Sequence, residues 1–429
     1  MGKPDNKIGF WPVVAIGVGG MVGGGIFAVL GLAVQLAKGG TPVAFALAGG
    51  VALLTAYSYA KLSATYPSRG GTVKFLDRAF GVGMFTGSLN VLLWLSYVVM
   101  LSLYAFAFGS YGATFLPEAW QPVGKHVLIS FSVVAVTALN LLSAAWIGKA
   151  EDWIVGLKVL ILLVFIGTGL AGVQSGNVAP DSWATPLQLT AGGMIIFLAY
   201  EGFELIANTA QDVRDAKHTL PRAYYTAVGF VIVLYVLVAL VTVGNLAVDK
   251  IVEAKDYALA EAARPFLGQA GFTLIAIAAL LSTASAINAT LYGAARLSYC
   301  IARDGELPAG LEHKIWGQPI EGLFITAGLT LFVANFFDLS SISTLGSAGF
   351  LLIFAAVNFA NVRQADHTKS WRWVSITGAI ACLAALTALI WQTATTSPTK
   401  LWVLAAMVAL AVTIEGSYRV AEREIRIRD

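Results

Sequence analysis

Residues 17–27 read Gly17-Val18-Gly19-Gly20-Met21-Val22-Gly23-Gly24-Gly25-Ile26-Phe27. They lie inside an apolar segment, 11–37, which is long enough to cross a bilayer as a helix at about 20 residues per crossing. Six of the eleven residues are glycines, and each glycine lowers helix propensity by about 1 kcal/mol relative to alanine. We therefore expect the helix to break here, with free N–H and C=O groups that face protein or water. A second interpretation is close helix packing, because small residues also line helix contacts.

The composition is that of an integral membrane protein. Of the 429 residues, 58% are hydrophobic and 12% are charged, and the mean hydropathy is +0.76, whereas a soluble domain has about 25% charged residues. The formal net charge of +3 is too small to indicate a nucleic-acid partner. The two cysteines, Cys300 and Cys382, imply no disulfide framework. We expect no cleavable signal peptide, because the first apolar run is too long for one.

Twelve apolar segments predict an all-α integral membrane protein with twelve transmembrane helices. In chain order they are 11–37, 42–66, 84–110, 126–147, 152–173, 189–210, 222–246, 270–299, 321–338, 341–361, 373–393 and 400–418. The longest connection, 245–267, has charges at helix-like spacing, which predicts a short helix on the outer surface. No loop is large enough to hold a soluble domain, so residues 1–429 are predicted to form a single transmembrane domain.

Basic residues predict the orientation. When the segments alternate sides from a cytoplasmic N terminus, twenty Lys and Arg residues fall on the inner side and six on the outer side. This bias follows the positive-inside rule. We therefore expect a multi-pass protein of the cell membrane with both termini in the cytoplasm. The one remaining basic residue, Lys158, falls within the fifth segment.

The sixth segment contains a second predicted interruption, at Phe197-Leu198-Ala199-Tyr200-Glu201-Gly202-Phe203-Glu204. Two carboxylates cannot face lipid cheaply, since one such charge costs about 3 kcal/mol at the centre of a membrane helix. Transporters often pair helix breaks at matching places in two halves. Because segments one and six are five apart, residues 11–173 and 189–361 are predicted to be inverted repeats, followed by two peripheral helices in 373–418.

Four motifs together resemble a known family. They are Gly23-Gly24-Gly25-Ile26-Phe27, Tyr200-Glu201-Gly202-Phe203-Glu204, Asp212-Val213-Arg214-Asp215-Ala216-Lys217-His218-Thr219-Leu220-Pro221-Arg222-Ala223 and Ala302-Arg303-Asp304-Gly305-Glu306-Leu307-Pro308. By this combination the chain is identified as a member of the amino acid/polyamine/organocation (APC) superfamily, in its amino acid permease branch. It is similar to proton-coupled members that have a Lys in the fifth helix. The resemblance implies a transporter fold of five plus five inverted-repeat helices, with helices 1 and 6 broken and the substrate beside the breaks.

The resemblance also implies which residues bind substrate. Gly23, Gly24 and Gly25 match the backbone that receives the substrate carboxylate, and the backbone around Ala199 and Tyr200 matches the part that receives the amino group. Many relatives have Ser in place of Gly24, so carboxylate binding here would rest on the main chain alone. The physical argument agrees, because N–H groups at a half-helix start suit a carboxylate and free carbonyls suit an ammonium. The full predicted substrate-binding set is Met21, Gly23, Gly24, Gly25, Ser96, Tyr97, Ala199, Tyr200, Glu201 and Phe203.

Lys158 is the main predicted proton-coupling residue, supported by Ser282, Ser285 and Glu204. In similar members a Lys at the matching place reaches the position where sodium-coupled relatives bind their ion, between segments one and eight. Its titratable ammonium can exchange a proton. Alternatively, Lys158 extends to the headgroups, since it lies only about six residues, roughly 9 Å, from the inner end of its helix. Ser282 and Ser285 match positions that flank the ion-like site, although membrane hydroxyls more often bond within their own turn or to a neighbouring helix.

Glu201 and Glu204 lie at i and i+3, close enough for their charges to interact. Glu204 is predicted to gate or relay a proton. Glu201 is predicted to face the substrate side chain, where an ionised carboxylate would favour a cationic side chain or a polyamine. Both residues could instead be structural, bonded to neighbouring helices. Phe197 and Phe203 are the predicted gating aromatics, because they bracket the break, and ordinary packing is the alternative for each.

These observations predict a secondary active amino acid transporter that works by alternating access, with proton symport favoured over sodium symport. The alternatives are an amino acid/amine exchanger and a transporter of polyamines or cationic amino acids. A channel or a receptor would not account for paired breaks with carboxylates at the same depth. An enzyme is not predicted, because no His-Glu-x-x-His, Gly-x-Ser-x-Gly or Walker motif is present, and neither a cofactor nor a metal site is expected. The predicted partners are an amino acid, protons and the lipid bilayer.

Overall fold

The structure is a computed structural model, and it describes residues 7–68, 70–142, 147–303 and 320–420. The α-helices of these residues are α1 (Phe10–Met21), α2 (Gly25–Ala37), α3 (Thr41–Thr65), α4 (Gly71–Phe80), α5 (Met84–Ala113), α6 (Gln121–Leu142), α7 (Ile147–Gly169), α8 (Ser175–Val178), α9 (Pro186–Ile195), α10 (Ala216–Asn245), α11 (Val248–Glu253), α12 (Ala258–Arg303), α13 (Ile320–Phe336), α14 (Leu339–Arg363), α15 (Ala365–Thr368), α16 (Arg372–Thr396) and α17 (Thr399–Val420). Stretches of 3-10 helix are Glu118–Trp120, Leu170–Gly172, Pro180–Ser182, Phe197–Asp212 and Lys255–Tyr257. Apart from two isolated bridges, Ile8 with Val213 and Lys38 with Trp183, the described residues form helices joined by turns and irregular segments.

Within the described ranges, nine helices are long and apolar enough to cross a membrane, and two bent pairs add one span each. The first pair is α1 with α2, bent by 46°, and the second is α9 with the 3-10 helix Phe197–Asp212, bent by 43°. The predicted all-α membrane fold with broken helices 1 and 6 is therefore confirmed. α13 occupies the place of the ninth predicted segment, but at 17 residues it is short for a span. The count of twelve spans stays a prediction.

The first break separates α1 from α2 at Val22, Gly23 and Gly24. The Val22 N–H still donates to the Val18 carbonyl at 2.8 Å, and the Ala28 N–H donates to the Gly24 carbonyl at 3.0 Å as α2 begins. The interruption therefore lies inside the glycine-rich stretch, where loss of helical hydrogen bonds costs least because glycine has the lowest helix propensity after proline.

The second break is at Ile196, one residue before the predicted stretch 197–204. α9 ends at Ile195, and Ile196 has φ −97° and ψ 1° before the 3-10 helix begins at Phe197. The bend thus lies one residue before the predicted stretch, and that stretch itself is 3-10 helix and not α-helix. A 3-10 run as long as these 16 residues is uncommon, and such stretches often mark a hinge.

Helices of the first half pack against helices of the second half in a regular way. α1 packs against the 3-10 helix Phe197–Asp212, α3 against α10, α5 against α12 and α6 against α13. Each of these partners is five predicted segments further along the chain. This pairing accords with the predicted halves 11–173 and 189–361, whose boundaries stay a prediction.

The connection after α10 lies over the end of α2, opposite the N-terminal end of the bundle. It consists of α11, the 3-10 turn Lys255–Tyr257 and the first part of α12, which turns at Gly268 with a left-handed φ of +62°. A Cβ on Gly31 of α2 would lie 2.3 Å from the Lys255 carbonyl oxygen, so the two backbones are in direct contact. The predicted short helix in 245–267 is therefore present as α11, and it belongs to a segment packed on α2.

Candidate functional site

The two broken helices touch through their backbones on both sides of the first break. A Cβ on Gly202 would lie 2.2 Å from the Gly20 carbonyl carbon, and a Cβ on Gly25 would lie 2.7 Å from the Ala199 Cα. No side chain fits between the chains at either crossing. Both interpretations of the glycine-rich stretch, a helix break and close helix packing, therefore apply. Some of its glycines break the helix and others allow close packing.

Polar groups converge at the first break. Since α2 begins at Gly25, the N–H groups of its first turn have no carbonyl one turn earlier to bond. On the other side of the break, the Met21 carbonyl accepts a hydrogen bond from the Tyr235 hydroxyl at 2.6 Å. The Ser282 hydroxyl donates to the Val22 carbonyl at 2.9 Å and also to the Gly23 carbonyl. Donors from α10 and α12 therefore hold the carbonyls, while the α2 N-terminus points into the break.

The second break is held by α14. The Ile195 carbonyl accepts hydrogen bonds from Ser343 at 2.5 Å and from Ser347 at 3.0 Å. The Leu198 N–H donates to the Ser347 hydroxyl at 3.2 Å. The Tyr235 hydroxyl lies 3.4 Å from the Ala199 carbonyl, so it links the two breaks.

Tyr235, Ser343 and Ser347 were not among the predicted site residues. Tyr235 could have been recognised as a hydroxyl among apolar neighbours, and Ser343 and Ser347 as two hydroxyls at i and i+4. Such hydroxyls need a partner inside a membrane protein, but their sequence does not say which helix supplies it.

Lys158 is buried inside α7, with 2% of its surface exposed. Its ammonium donates to the Gly19 carbonyl at 3.0 Å, in the turn of α1 that precedes the first break. The side chain therefore does not extend to a membrane surface. Ser282 joins α12 to the same broken helix three residues further on, and Ser285, on the same face, is half-buried. Of the predicted coupling residues, Lys158 and Ser282 thus bond segment one at neighbouring turns.

Glu204 is buried and surrounded by hydroxyls. Its carboxylate accepts hydrogen bonds from Tyr59 at 3.2 Å, from Thr72 at 3.1 Å and from Tyr97. The Tyr59 and Thr72 hydroxyls are themselves 2.8 Å apart. Three elements, α3, α4 and α5, therefore meet at this one carboxylate. Of these partners only Tyr97 was a predicted site residue, and it was predicted to bind substrate and not Glu204.

Glu201 is equally buried, with 2% of its surface exposed, but it differs in its contacts. Its Oε1 has no hydrogen-bond partner among the residues that the structure describes. The carboxylate is an electrostatic neighbour of the Tyr104 hydroxyl. The Tyr104 ring packs directly on Gly24, since a Cβ there would lie 2.3 Å from the ring.

The remaining predicted side chains are packed into neighbouring helices. The Tyr200 hydroxyl donates to the Phe45 carbonyl at 3.0 Å, and the Ser96 hydroxyl bonds the Leu92 carbonyl of its own helix at 2.8 Å. Met21 is buried and contributes its carbonyl alone to the hydrogen bonds of the break. The structure does not bring the Tyr200 and Ser96 side chains to the first break.

The two predicted gating aromatics both follow the second break and do not bracket it. Phe197 and Phe203 contact Phe354 of α14 at ring-centroid distances of 5.8 Å and 5.2 Å, and Phe203 also contacts Tyr59 at 5.4 Å. Both rings are fully buried. In this arrangement they are packing residues of one aromatic cluster, and a gating role stays a prediction.

Two cavities approach the breaks from opposite ends of the bundle. The N-terminal cavity, of about 490 Å³, lies at the end where α1 begins and reaches Gly19, Gly20 and Tyr97. The opposite cavity, of about 270 Å³, lies beside α2 and α14 and reaches Ile195. Gly24 and Glu201 line neither cavity. The first break therefore lies in the closed region between them, and the second break adjoins the opposite cavity at Ile195.

Of the two loop motifs that resemble the family, 212–223 is described by the structure and most of Ala302 to Pro308 is not. Residues 212–223 connect the sixth and seventh spans, and there the Ile8 N–H donates to the Asp212 carbonyl at 2.8 Å while the Arg214 N–H donates to the Ile8 carbonyl at 2.9 Å. This loop therefore holds the start of α1.

A family model described as amino acid permease matches residues 8–413. An uncharacterized protein of Methanocaldococcus jannaschii is 37% identical over 383 residues, which cover 88% of this chain and 87% of that one. The inner membrane transport protein YbaT of Escherichia coli is 35% identical over 393 residues, 91% of each chain. The low-affinity putrescine importer PlaP of Escherichia coli is 27% identical over 373 residues, 82% of this chain and 79% of that one.

Proposed function

The chain belongs to the amino acid permease family of the APC superfamily, and from this premise we propose that it is a secondary active transporter that carries an amino acid together with a proton. The proposal places it in the cell membrane with both termini in the cytoplasm, because twenty of its Lys and Arg residues fall on that side and six on the other. The N-terminal cavity then opens toward the cytoplasm.

The observation that carries proton coupling is the position of Lys158. An ammonium inside a membrane protein is costly and usually functional, and this one bonds the Gly19 carbonyl at 3.0 Å, beside the break. Gly19 and Val155 line the N-terminal cavity, so a small movement of α1 from α7 would expose Lys158 to water. Exposure would allow the ammonium to lose its proton on the cytoplasmic side.

The proposed cycle follows from these contacts. While Lys158 is protonated it holds α1 against α7, and Ser282 holds the break against α12. Substrate enters from the outside, the outer end closes, and α1 moves away on the inside. Loss of the proton then removes the bond to Gly19, and the substrate leaves through the N-terminal cavity. Glu204 is proposed to assist as a gate or proton relay, since Tyr97 and Thr72 join its carboxylate to the same cavity.

The test is uptake of labelled amino acids and amines by purified protein in liposomes, under a proton gradient and, separately, a sodium gradient. Proton-driven uptake by Lys158→Ala should fall about tenfold or more, since a hydrogen bond to a charged group is worth about 1.5–3 kcal/mol. Lys61→Ala is the matched control, because Lys61 also bonds a main-chain carbonyl, that of Lys369, but at the surface. Wild-type pH dependence of uptake in Lys158→Ala would contradict the proposal.

An exchanger, or a carrier of amines or cationic amino acids, is the second candidate. It is favoured by the buried carboxylate of Glu201, whose Oε1 lacks a hydrogen-bond partner within the described chain, and by likeness to a protein named as a putrescine importer. Exchange would make uptake depend on substrate loaded inside the liposomes. Uptake into empty liposomes under a proton gradient alone would favour symport.

A further inference from the structure

We propose that the ammonium group of the transported molecule binds the carboxylate of Glu201, in preference to the main-chain carbonyls that already accept hydrogen bonds at the breaks. This inference rests on the proposed function, and it names the chemistry by which the site recognises its substrate. It also departs from the expectation, made from the sequence, that peptide groups alone hold both ends of the molecule.

The carbonyls at the breaks already have hydrogen-bond donors from the protein. Tyr235 donates to the Met21 carbonyl at 2.6 Å, and Ser282 donates to the Val22 carbonyl at 2.9 Å. At the second break, Ser343 and Ser347 both donate to the Ile195 carbonyl. A carbonyl has two acceptor positions, so Ile195 has none left. An ammonium entering the site would have to compete with these hydroxyls.

Glu201 has an oxygen that no described donor occupies, whereas each of these carbonyls already accepts at least one hydrogen bond. Its Oε1 is buried without a hydrogen-bond partner among the described residues, and a buried polar atom left in this way costs about 1–3 kcal/mol. Glu204, one turn later, shows the contrast, because hydroxyls of Tyr59, Thr72 and Tyr97 bond its carboxylate. Of the two carboxylates, Glu201 is therefore the one that gains a bond when an ammonium arrives.

The position of Glu201 fits this role. Its neighbours along the 3-10 helix, Ala199 and Gly202, contact Gly25 and Gly20, respectively. Those two glycines flank the first break, so Glu201 lies at the depth of the break. The start of α2, a helix of 13 residues, offers N–H groups to the carboxylate of an amino acid at the same depth.

Tyr104 lies beside both of these groups. Its ring packs on Gly24, and its hydroxyl would lie 3.5 Å from a Cβ on Gly23, while the carboxylate of Glu201 is close enough to act on that hydroxyl electrostatically. Substrate must displace this ring to reach the α2 N-terminus, and its ammonium then meets Glu201. A molecule without an ammonium would displace Tyr104 and leave the Glu201 oxygen unbonded.

The experiment uses matched ligands that differ only in the groups being tested. For the side chains of alanine, leucine and lysine, the probes are the amino acid, the amine that lacks the carboxylate, and the 2-hydroxy acid that lacks the α-ammonium. Binding is measured as the ligand-induced rise in the unfolding temperature of the purified full chain, and transport as competition with labelled amino acid in liposomes. For each side chain whose amino acid binds to the wild type, we expect the corresponding amine to bind too. The hydroxy acids that correspond to alanine and leucine should not bind.

Glu201→Gln keeps the shape of the side chain and removes its charge, so amine binding should weaken about tenfold or more. Glu201→Asp keeps the carboxylate and should retain more amine binding than the Gln variant. Glu415→Gln is the matched control, because Glu415 is also buried with one unpartnered oxygen but lies on α17, paired with Arg419. The control should bind the probes as the wild type does.

The outcomes separate this inference from the proposed function. Two results would overturn the inference and leave the proposed function intact. One is that Glu201→Gln still transports amino acids and binds the amine as tightly as the wild type does. The other is that the wild type binds hydroxy acids as tightly as amino acids. If no amino acid or amine of any series binds to or is carried by the wild type, both the inference and the proposed function are wrong. Loss of amine binding in Glu201→Gln and in the Glu415→Gln control alike would indicate general destabilisation and would also count against the inference.

Discussion

Tyr235 joins the two helix breaks through one hydroxyl. It donates to the Met21 carbonyl at 2.6 Å and lies 3.4 Å from the Ala199 carbonyl, and its ring packs against Tyr200 at a centroid distance of 5.1 Å. Each broken helix thus contributes a carbonyl to the same side chain. The hydroxyl therefore holds the two breaks at a set separation, which a substrate between them would depend on.

Replacing Tyr235 with Phe should lower the free energy of unfolding by about 1 kcal/mol, because a buried carbonyl loses its hydroxyl partner. We also expect weaker substrate binding, since the two breaks lose their common contact. Tyr225→Phe is the control, because Tyr225 lies in the same helix with 40% of its surface exposed. Thermal unfolding and uptake of the two variants are compared. Equal behaviour of the two variants would show that the Tyr235 hydroxyl has no such role.

The crossing of α1 with the 3-10 helix Phe197–Asp212 depends on direct backbone contact. Gly20 and Gly202 meet there, and a Cβ on Gly202 would lie 2.2 Å from the Gly20 carbonyl carbon and 2.5 Å from the Met21 nitrogen. Backbone atoms cannot move aside as a flexible side chain can. The position of one broken helix against the other is therefore set by the absence of side chains at this crossing.

Gly202→Ala should separate these two helices and cost about 1–3 kcal/mol of stability, as overpacking of a core does. Gly229→Ala is the matched control in α10, because nothing lies within 4 Å of a Cβ there and alanine favours a helix by about 1 kcal/mol. Unfolding temperatures measured in one detergent test the pair. A Gly202→Ala variant as stable as the wild type would mean that the helices do not cross this closely.

At the end of the bundle opposite the N terminus, the segment after α10 covers α2. An ion pair fastens this segment, since the Lys125 ammonium lies 2.8 Å from the Asp256 carboxylate and each side chain is about one-fifth exposed. The Lys125 ammonium also lies 3.7 Å from the centre of the Phe106 ring. Opening toward that side requires loss of these contacts, whereas the N-terminal cavity already reaches Gly20.

Reversing one charge, as in Lys125→Asp, should favour the conformation open at that end. A partly exposed ion pair contributes up to about 1 kcal/mol, so the population of the open form should rise up to about fivefold. The measurement is the rate at which a water-soluble thiol reagent labels Thr344→Cys, which lines the opposite cavity, with both native cysteines replaced by serine. The double change Lys125→Asp with Asp256→Lys should restore the slow rate. Unchanged labelling in the single variant would contradict the proposed fastening.

Much of the candidate site could be predicted because its determinants are local. Glycine density predicted the first break, and two carboxylates in an apolar segment predicted that segment six was unusual. The partners could not be predicted, because Glu201 and Glu204 look alike in the sequence. Only their different neighbours distinguish them, since three hydroxyls surround Glu204 whereas Oε1 of Glu201 has no hydrogen-bond partner within the described residues.

Hydropathy and glycine content by themselves determined that this chain is a helical membrane protein whose first membrane helix is interrupted, since both depend on the cost of placing a given residue in lipid or in a helix. The exact place of the second break, at Ile196, was decided by tertiary structure, because Ser343 and Ser347 of α14 compensate the carbonyl that the break exposes. Tertiary structure also decided that Lys158 turns inward, since the acceptor it needs, the Gly19 carbonyl, becomes available only when α1 packs beside α7. The place of the second break and the direction of Lys158 both depend on hydrogen bonds between distant segments, which no local sequence pattern can predict.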